Sequence, residues 1–138
     1  MDVPGLRIDG RLDALPWRTT RHEGVDWIDL VGDEADPTRT VLIRMAPGCG
    51  YPRHKHVGPE DVLVLDGGYA DEDGRTFRAG RFVRYPAGSE HTPVALGERD
   101  APIGDTNRAC VLFAVAHGGT ERTAAAQARS GHREGGER

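Results

Sequence analysis

The chain has 138 residues, 37% of them hydrophobic, and a formal net charge of −4. This length suits one small domain, and no run approaches the roughly 20 apolar residues that cross a bilayer. The acidic balance argues against a nucleic-acid partner, which favours a basic patch. The N-terminus has neither the basic start nor the apolar segment of a signal peptide. We therefore expect a cytoplasmic protein without membrane or nucleic-acid partners.

Five segments predict β-strands, because each is short, rich in Val, Leu, Ile, Tyr or Phe, and bounded by Gly, Pro or Asp. In chain order they are residues 25–30, 38–46, 60–70, 82–85 and 109–116. Directly after the third segment, Asp71-Glu72-Asp73-Gly74 predicts a hairpin turn. Nineteen glycines and nine prolines suit many short strands joined by turns. The pattern favours an all-β, mostly antiparallel barrel or sandwich.

The C-terminal segment differs in composition from the rest of the chain. From residue 118 onward it lacks aromatic side chains and is rich in Gly, Arg, Ala and Glu. A segment with so little apolar surface to bury is typical of a flexible tail. We therefore predict one domain over residues 1–117 and a flexible tail over residues 118–138.

Three histidines and a glutamate predict a metal site. His54 and His56 are two residues apart, so on a strand both imidazoles point to one side. Glu60 lies an even number of residues beyond His56 and can rejoin that face, and His91 completes the set from another strand. Three imidazoles and a carboxylate suit Fe, Mn, Ni, Cu or Zn rather than Mg or Ca.

These residues stand in two motifs that resemble those of the cupin superfamily. The first motif, G-x5-H-x-H-x3-E-x6-G, and the second, G-x5-P-x-G-x2-H, are matched by Gly48, His54, His56, Glu60 and Gly67, and by Gly80, Pro86, Gly88 and His91. Ala95 stands where the superfamily has a final Asn, which is not usually a ligand. Residues 42–48, 64–67, 71–74 and 80–89 are similar to the ChrR-type cupin branch. The resemblance implies a small cupin barrel (a double-stranded β-helix, or jelly roll), with the metal near its open end, commonly as a homodimer.

The resemblance also implies a metal-dependent enzyme that acts on a small, metal-chelating organic substrate. One divalent transition metal per chain is expected, with Fe(II) favoured and Zn, Mn or Ni as alternatives. With iron, the favoured reaction is dioxygenase-type C–C cleavage of a diketone or hydroxyketone, with Glu60 as a fourth ligand or as the catalytic base.

Three other readings stay open. One is a non-redox lyase, isomerase or cyclase, and another is a metal that only stabilises the barrel. The third is a zinc-binding sensor resembling the cupin domain of the ChrR anti-sigma factors. Those factors carry an additional N-terminal zinc module with His and Cys ligands. Before residue 40, His22 is the only residue of this chain that could serve as such a ligand, and there is no cysteine, which disfavours the anti-sigma role.

Four residues are candidates for the wall of a substrate pocket: Trp27, Arg44, Tyr51 and Tyr85. Arg44 interrupts an otherwise apolar strand. If it points inward, it could pair with a substrate carboxylate or enolate. If it points outward, it is an ordinary exposed charge, and strand alternation alone leaves the two readings even.

Overall fold

The structure is a computed structural model that describes residues 6–122. A 3-10 turn, Leu12–Ala14, precedes the strands. The strands of the described residues are β1 (Arg18–Thr19), β2 (Val25–Asp33), β3 (Asp36–Met45), β4 (His54–His56), β5 (Glu60–Asp66), β6 (Gly68–Ala70), β7 (Thr76–Arg78), β8 (Phe82–Tyr85), β9 (Glu90–His91), β10 (Val94–Ala95), β11 (Cys110–Ala116) and β12 (Thr120–Arg122).

The strands form three antiparallel sheets. A six-stranded sheet has the order β1-β2-β3-β11-β5-β8, and two three-stranded sheets have the orders β10-β6-β7 and β12-β4-β9. All paired strands run antiparallel. The predicted all-β, mostly antiparallel fold class is confirmed.

The predicted third strand is two strands in the structure, because the chain bends at Gly67. This residue has a φ of 65°, which favours glycine, and a Cβ there would lie 2.4 Å from the carbonyl oxygen of Ala109. The break sends β5 into the large sheet and β6 into the second sheet. Asp71 to Gly74 then join β6 to β7, as the hairpin pattern predicts.

The core lies on the inner face of the six-stranded sheet. Along β5, Glu60, Val62 and Val64 are buried, and the residues between them are partly exposed. Register aligns Val41 of β3 and Ala114 of β11 with Val62, so equivalent positions form rows across the sheet. Complete burial of a valine contributes about 1.5–3 kcal/mol, so these rows fix which residues of each strand face inward.

The folded part of the chain extends past residue 117, where we expected the tail to begin. Thr120–Arg122 form β12, which pairs with β4: Thr120 lies opposite His56 and Arg122 opposite His54. Backbone hydrogen bonding gives this segment a place in the sheet although it has little apolar surface. The rest of the predicted tail, residues 123–138, lies outside the described residues. Within residues 6–122 no helix is long and apolar enough to cross a membrane.

Candidate metal centre

The histidines and the glutamate of the two motifs come from three neighbouring strands. His54 and His56 are the ends of β4, where both are buried and Lys55 between them is exposed. Glu60 begins β5, and His91 ends β9 directly opposite His54. Before β9 the chain turns at Gly88, whose φ of 85° favours glycine. The alternation of a short strand and one tight turn thus bring the four side chains together.

The donor atoms of these residues converge in a buried space. All four residues are at most 8% exposed, and their potential ligand atoms lie within 4.8 Å of one another. Nε2 of His54 is 3.0 Å from Nε2 of His91, and Nε2 of His56 is 2.8 Å from Oε1 of Glu60. The group could therefore hold one metal ion.

Contacts on the outer side of each ring assign its tautomer. Nδ1 of His54 donates to the carbonyl oxygen of Pro52 at 3.0 Å, and Nδ1 of His91 donates to Oδ1 of Asp71 at 2.9 Å. In each neutral ring the proton therefore sits on Nδ1, and Nε2 presents a lone pair to the centre. Hydrogen bonds of this kind are what orients metal-ligating histidines.

His56 follows the same pattern through Ser89. The Ser89 hydroxyl donates to the carbonyl oxygen of Pro86 at 2.6 Å, so its oxygen accepts the Nδ1 proton of His56 at 2.9 Å. Nε2 of His56 is buried and makes no hydrogen bond of acceptable geometry, despite its short distance to Glu60. A lone pair that faces a carboxylate oxygen across 2.8 Å is repulsive unless a cation lies nearby.

The electrostatics of the site favour a metal ion over protons. Burial, followed by the neighbouring His91, lowers the pKa of His54 to about 4, so this ring is neutral at physiological pH. Burial alone would raise the pKa of Glu60, but its contacts with His56 and the other imidazoles outweigh burial, and the net shift is downward. A neutral His54, the inward-facing Nε2 atoms of His56 and His91, and an ionised carboxylate fit a divalent transition metal.

A cavity of about 70 Å³ opens beside the centre. Its wall is mostly apolar, and it reaches His54, Glu60 and His91, so three of the four candidate ligands face open space. The volume exceeds the ~10–15 Å³ that one water molecule needs and is smaller than the sites of drug-sized ligands. The other lining residues are Trp27, Arg39, Val41, Ile43, Met45, Tyr51, Val62, Tyr69, Pro93, Leu112, Ala114, Ala116, Gly119 and Thr120.

The structure separates the four predicted pocket residues. Trp27 and Tyr51 line the cavity, with their rings stacked at a centroid distance of 6.0 Å. Tyr85 does not line it, but its ring packs 4.2 Å from that of His91 and supports the ligand from behind. Arg44 lies on the outer face of β3, paired with Asp26 at 2.7 Å, so the outward reading describes its position.

Sequence reasoning missed Asp71 and Tyr69, which extend the site beyond the ligands. Asp71 is 6% exposed and accepts hydrogen bonds from His91 and, at 2.7 Å, from the Tyr85 hydroxyl. Tyr85 in turn accepts from Tyr69 at 2.5 Å, and burial raises the pKa of both phenols. In the sequence Asp71 is an ordinary hairpin residue, and nothing in the pattern points to this contact.

The other histidines and the cysteines of the described residues lie outside the group of potential ligands. The His22 ring packs 5.1 Å from Tyr51, and His117 lies 3.2 Å from a carboxylate oxygen of Asp61. Cys49 and Cys110 are buried free thiols. Among the described residues, His54, His56, Glu60 and His91 form the one cluster with the geometry of a metal site.

The sequence matches a known protein family, and the fold matches solved structures. The family model of the ChrR cupin-like domain matches residues 7–103. A chain of the crystal structure of Rhodobacter sphaeroides SigE in complex with the anti-sigma ChrR is 32% identical, with a TM-score of 0.59. That match covers 77% of this chain and 50% of the other, so this protein spans half the length of its relative. Among curated proteins there is no match.

Two enzymes share the fold at lower identity. An acetylacetone dioxygenase from Acinetobacter johnsonii is 14% identical with a TM-score of 0.60, over 75% of this chain and 67% of the enzyme. The polyketide cyclase RemF from Streptomyces resistomycificus is 17% identical with a TM-score of 0.61, over 86% of both chains. These likenesses confirm the cupin fold and leave the reaction open. The matched family model spans most of the chain, and the protein belongs to the ChrR cupin-like domain family.

Proposed function

We propose that this protein is a metal-dependent enzyme for a small, metal-chelating organic substrate, with Fe(II) as the favoured metal and C–C cleavage of a diketone or hydroxyketone by O2 as the favoured reaction. The observation that carries the proposal is the cavity beside the candidate ligands His54, Glu60 and His91. A structural metal site is closed on all sides, whereas a catalytic one keeps an open position. Here three of the four candidate ligands face a cavity of about 70 Å³, which is larger than one water molecule needs.

The chain's own residues suit a planar, weakly acidic substrate. Trp27 and Tyr51 supply stacked aromatic rings to the cavity wall, and the mostly apolar lining strengthens electrostatic contacts with an enolate. Glu60 is ionised and faces the cavity, so its carboxylate can accept a proton from an acidic C–H or O–H of the substrate. A bound divalent metal supplies Lewis acidity and, in the case of iron, O2 chemistry.

The decisive experiment combines metal analysis with oxygen uptake. We expect protein purified without a metal-chelating column to contain up to one equivalent of a transition metal. His54→Ala and His91→Ala should lose it, whereas His22→Ala and His117→Ala should retain it. The iron-loaded protein should consume O2 only after a chelating diketone or hydroxyketone is added, and Glu60→Gln should slow turnover more than it lowers metal content.

Three outcomes would redirect or refute this proposal. Turnover under argon with Zn or Mn would indicate a lyase, isomerase or cyclase at the same site. Metal retained in full by His91→Ala would contradict the four-ligand centre. Iron-loaded protein that consumes no oxygen with any chelating substrate would refute the dioxygenase assignment.

A second candidate function follows from the 32% identity to a chain of the SigE–ChrR complex. In this reading the centre holds zinc and the domain senses a ligand, with a protein partner of the kind seen in that complex. Zinc as the bound metal, no turnover with or without oxygen, and co-purification of a sigma factor would favour it. The cavity alone does not distinguish the enzyme from the sensor, because a sensor also needs a ligand site.

A further inference from the structure

We propose that Arg39 is a specificity-determining residue that binds a carboxylate of the substrate, so that the substrate class is a chelating diketone or hydroxyketone that also carries an acidic group. This inference rests on the proposed function and narrows it. Arg39 is the one cationic side chain among the residues that line the cavity. It lies on β3, five positions before Arg44, and is on the same face of the strand as Val41, which also lines the cavity.

Strand register places Arg39 at a defined distance from the metal centre. Arg39 lies opposite Ala116 of β11, and Ala116 lies opposite Glu60 of β5. The three residues therefore form one row, with the guanidinium-bearing residue two strands from the candidate ligand, or about 10 Å between backbones. The methyl side chain of Ala116 leaves open space between the two charged residues. The deeper rows of the same face are apolar, such as Val41, Ala114 and Val62.

The guanidinium of Arg39 has N–H donors that are not used in the hydrogen bonds of the described residues. Nη1 donates to the backbone carbonyl oxygens of Asp36 and Thr38, each at 3.1 Å. Among the described residues no carboxylate forms an ion pair with Arg39, although most of the other described arginines have such a partner, as Arg44 does with Asp26. The bonds from Nη1 hold the side chain in place while Nε and Nη2 stay available to a carboxylate, which the planar fork of arginine matches.

Charge balance in the cavity agrees with a doubly anionic ligand. A divalent metal, the Glu60 carboxylate and the Arg39 guanidinium sum to a charge of about +2, because the three imidazoles are neutral when they bind a metal. A substrate that binds as an enolate and carries one carboxylate brings this sum to zero in a mostly apolar cavity, where unbalanced charge is costly. A neutral diketone leaves the guanidinium without its counter-charge.

A matched pair of ligands tests the proposal. 4,6-Dioxoheptanoate and heptane-2,4-dione have the same chelating head and differ in that a methyl group replaces the carboxylate. With the metal-loaded protein we expect at least tenfold tighter binding of the acid, measured by calorimetry. In Arg39→Gln the ratio should fall to about twofold or less, and Arg39→Lys should retain part of it. Arg44→Gln, which removes the same charge from the outer face of the same strand, should leave the ratio unchanged.

The outcomes separate this inference from the proposed function. If both ligands bind the wild type equally, or if Arg39→Gln weakens both by the same factor, the inference is overturned and the metal-dependent function stands. If neither ligand binds, the proposed function fails. In that case butanoate is titrated into the chelator-treated protein, with detection of the Arg39 Nε–Hε signal by NMR. A saturable shift supports the anion site by itself, and no shift overturns it.

Discussion

Replacing Asp71 by Asn removes a negative charge that the structure places 2.9 Å from the outer nitrogen of His91. Asp71 is 6% exposed, and its carboxylate also accepts a hydrogen bond from the Tyr85 hydroxyl at 2.7 Å. An amide at this position retains one acceptor oxygen, so the His91 ring keeps its orientation. The amide of the Asp71→Asn variant lacks the negative charge that makes the His91 ring a stronger base and that stabilises its Nδ1-protonated tautomer.

The expected loss of metal affinity follows from the one candidate ligand that is affected, His91. Loss of such a partner behind a metal-bound histidine costs about 10- to 100-fold in metal affinity, or about 1–3 kcal/mol. We expect the Kd for Zn²⁺ or Co²⁺ to rise within this range in Asp71→Asn. A larger effect is expected in Asp71→Leu, which leaves both the imidazole N–H and the Tyr85 hydroxyl without the acceptor.

Competition against a chromogenic chelator measures these constants, and circular dichroism verifies that each variant is folded. Glu72→Gln is the matched control, because Glu72 is the next residue and loses the same charge. Its carboxylate accepts the backbone N–H of Thr92 at 2.9 Å and pairs with Arg53, not with a candidate ligand. Equal losses of affinity in both variants would show a long-range charge effect. An Asp71→Asn Kd within threefold of wild type would refute the role of this contact.

Three further predictions concern the rest of the chain. Burial raises the pKa of Cys110 from 9 to about 12, so its thiol stabilises the fold fully below pH 9 and progressively less as the pH rises from 9 to 12. The difference in unfolding free energy between wild type and Cys110→Ala should therefore shrink by about 1 kcal/mol between pH 8 and pH 10 in urea titrations, and a constant difference would contradict this. Ending the chain after Arg122 should preserve metal affinity and Tm, whereas ending it after Gly119 removes β12 and should lower both; equal behaviour of the two truncations would show that pairing with β4 is dispensable. Phe82 is 61% exposed on β8, opposite Leu63, so Phe82→Asp should convert the predicted homodimer to a monomer in light scattering, and an unchanged dimer would place the interface elsewhere.

Sequence patterns predicted that His54, His56, Glu60 and His91 would lie together, because their positions obey local rules. His54 and His56 share a face through strand alternation alone, and Gly88 marks the turn that leads to His91. The break at Gly67 was harder to foresee. Asp66-Gly67-Gly68 is a local turn signal, but the carbonyl oxygen of Ala109 that excludes a side chain at Gly67 lies some 40 residues further along the chain and is visible in no local pattern.

The two arginines of β3 show where sequence reasoning stops. Alternation requires Arg39 and Arg44 to face opposite sides of the sheet, because they are an odd number of positions apart. The sequence contains that relation but does not say which of the two arginines faces inward. That choice is set by the rows that β3 forms with Ala114 of β11 and Val62 of β5. With Val41 in the core, Arg44 must lie outside beside Asp26, and Arg39 must face the cavity. The choice of which arginine can meet a substrate is therefore made by pairing between distant strands, and a one-residue shift in register would exchange their roles.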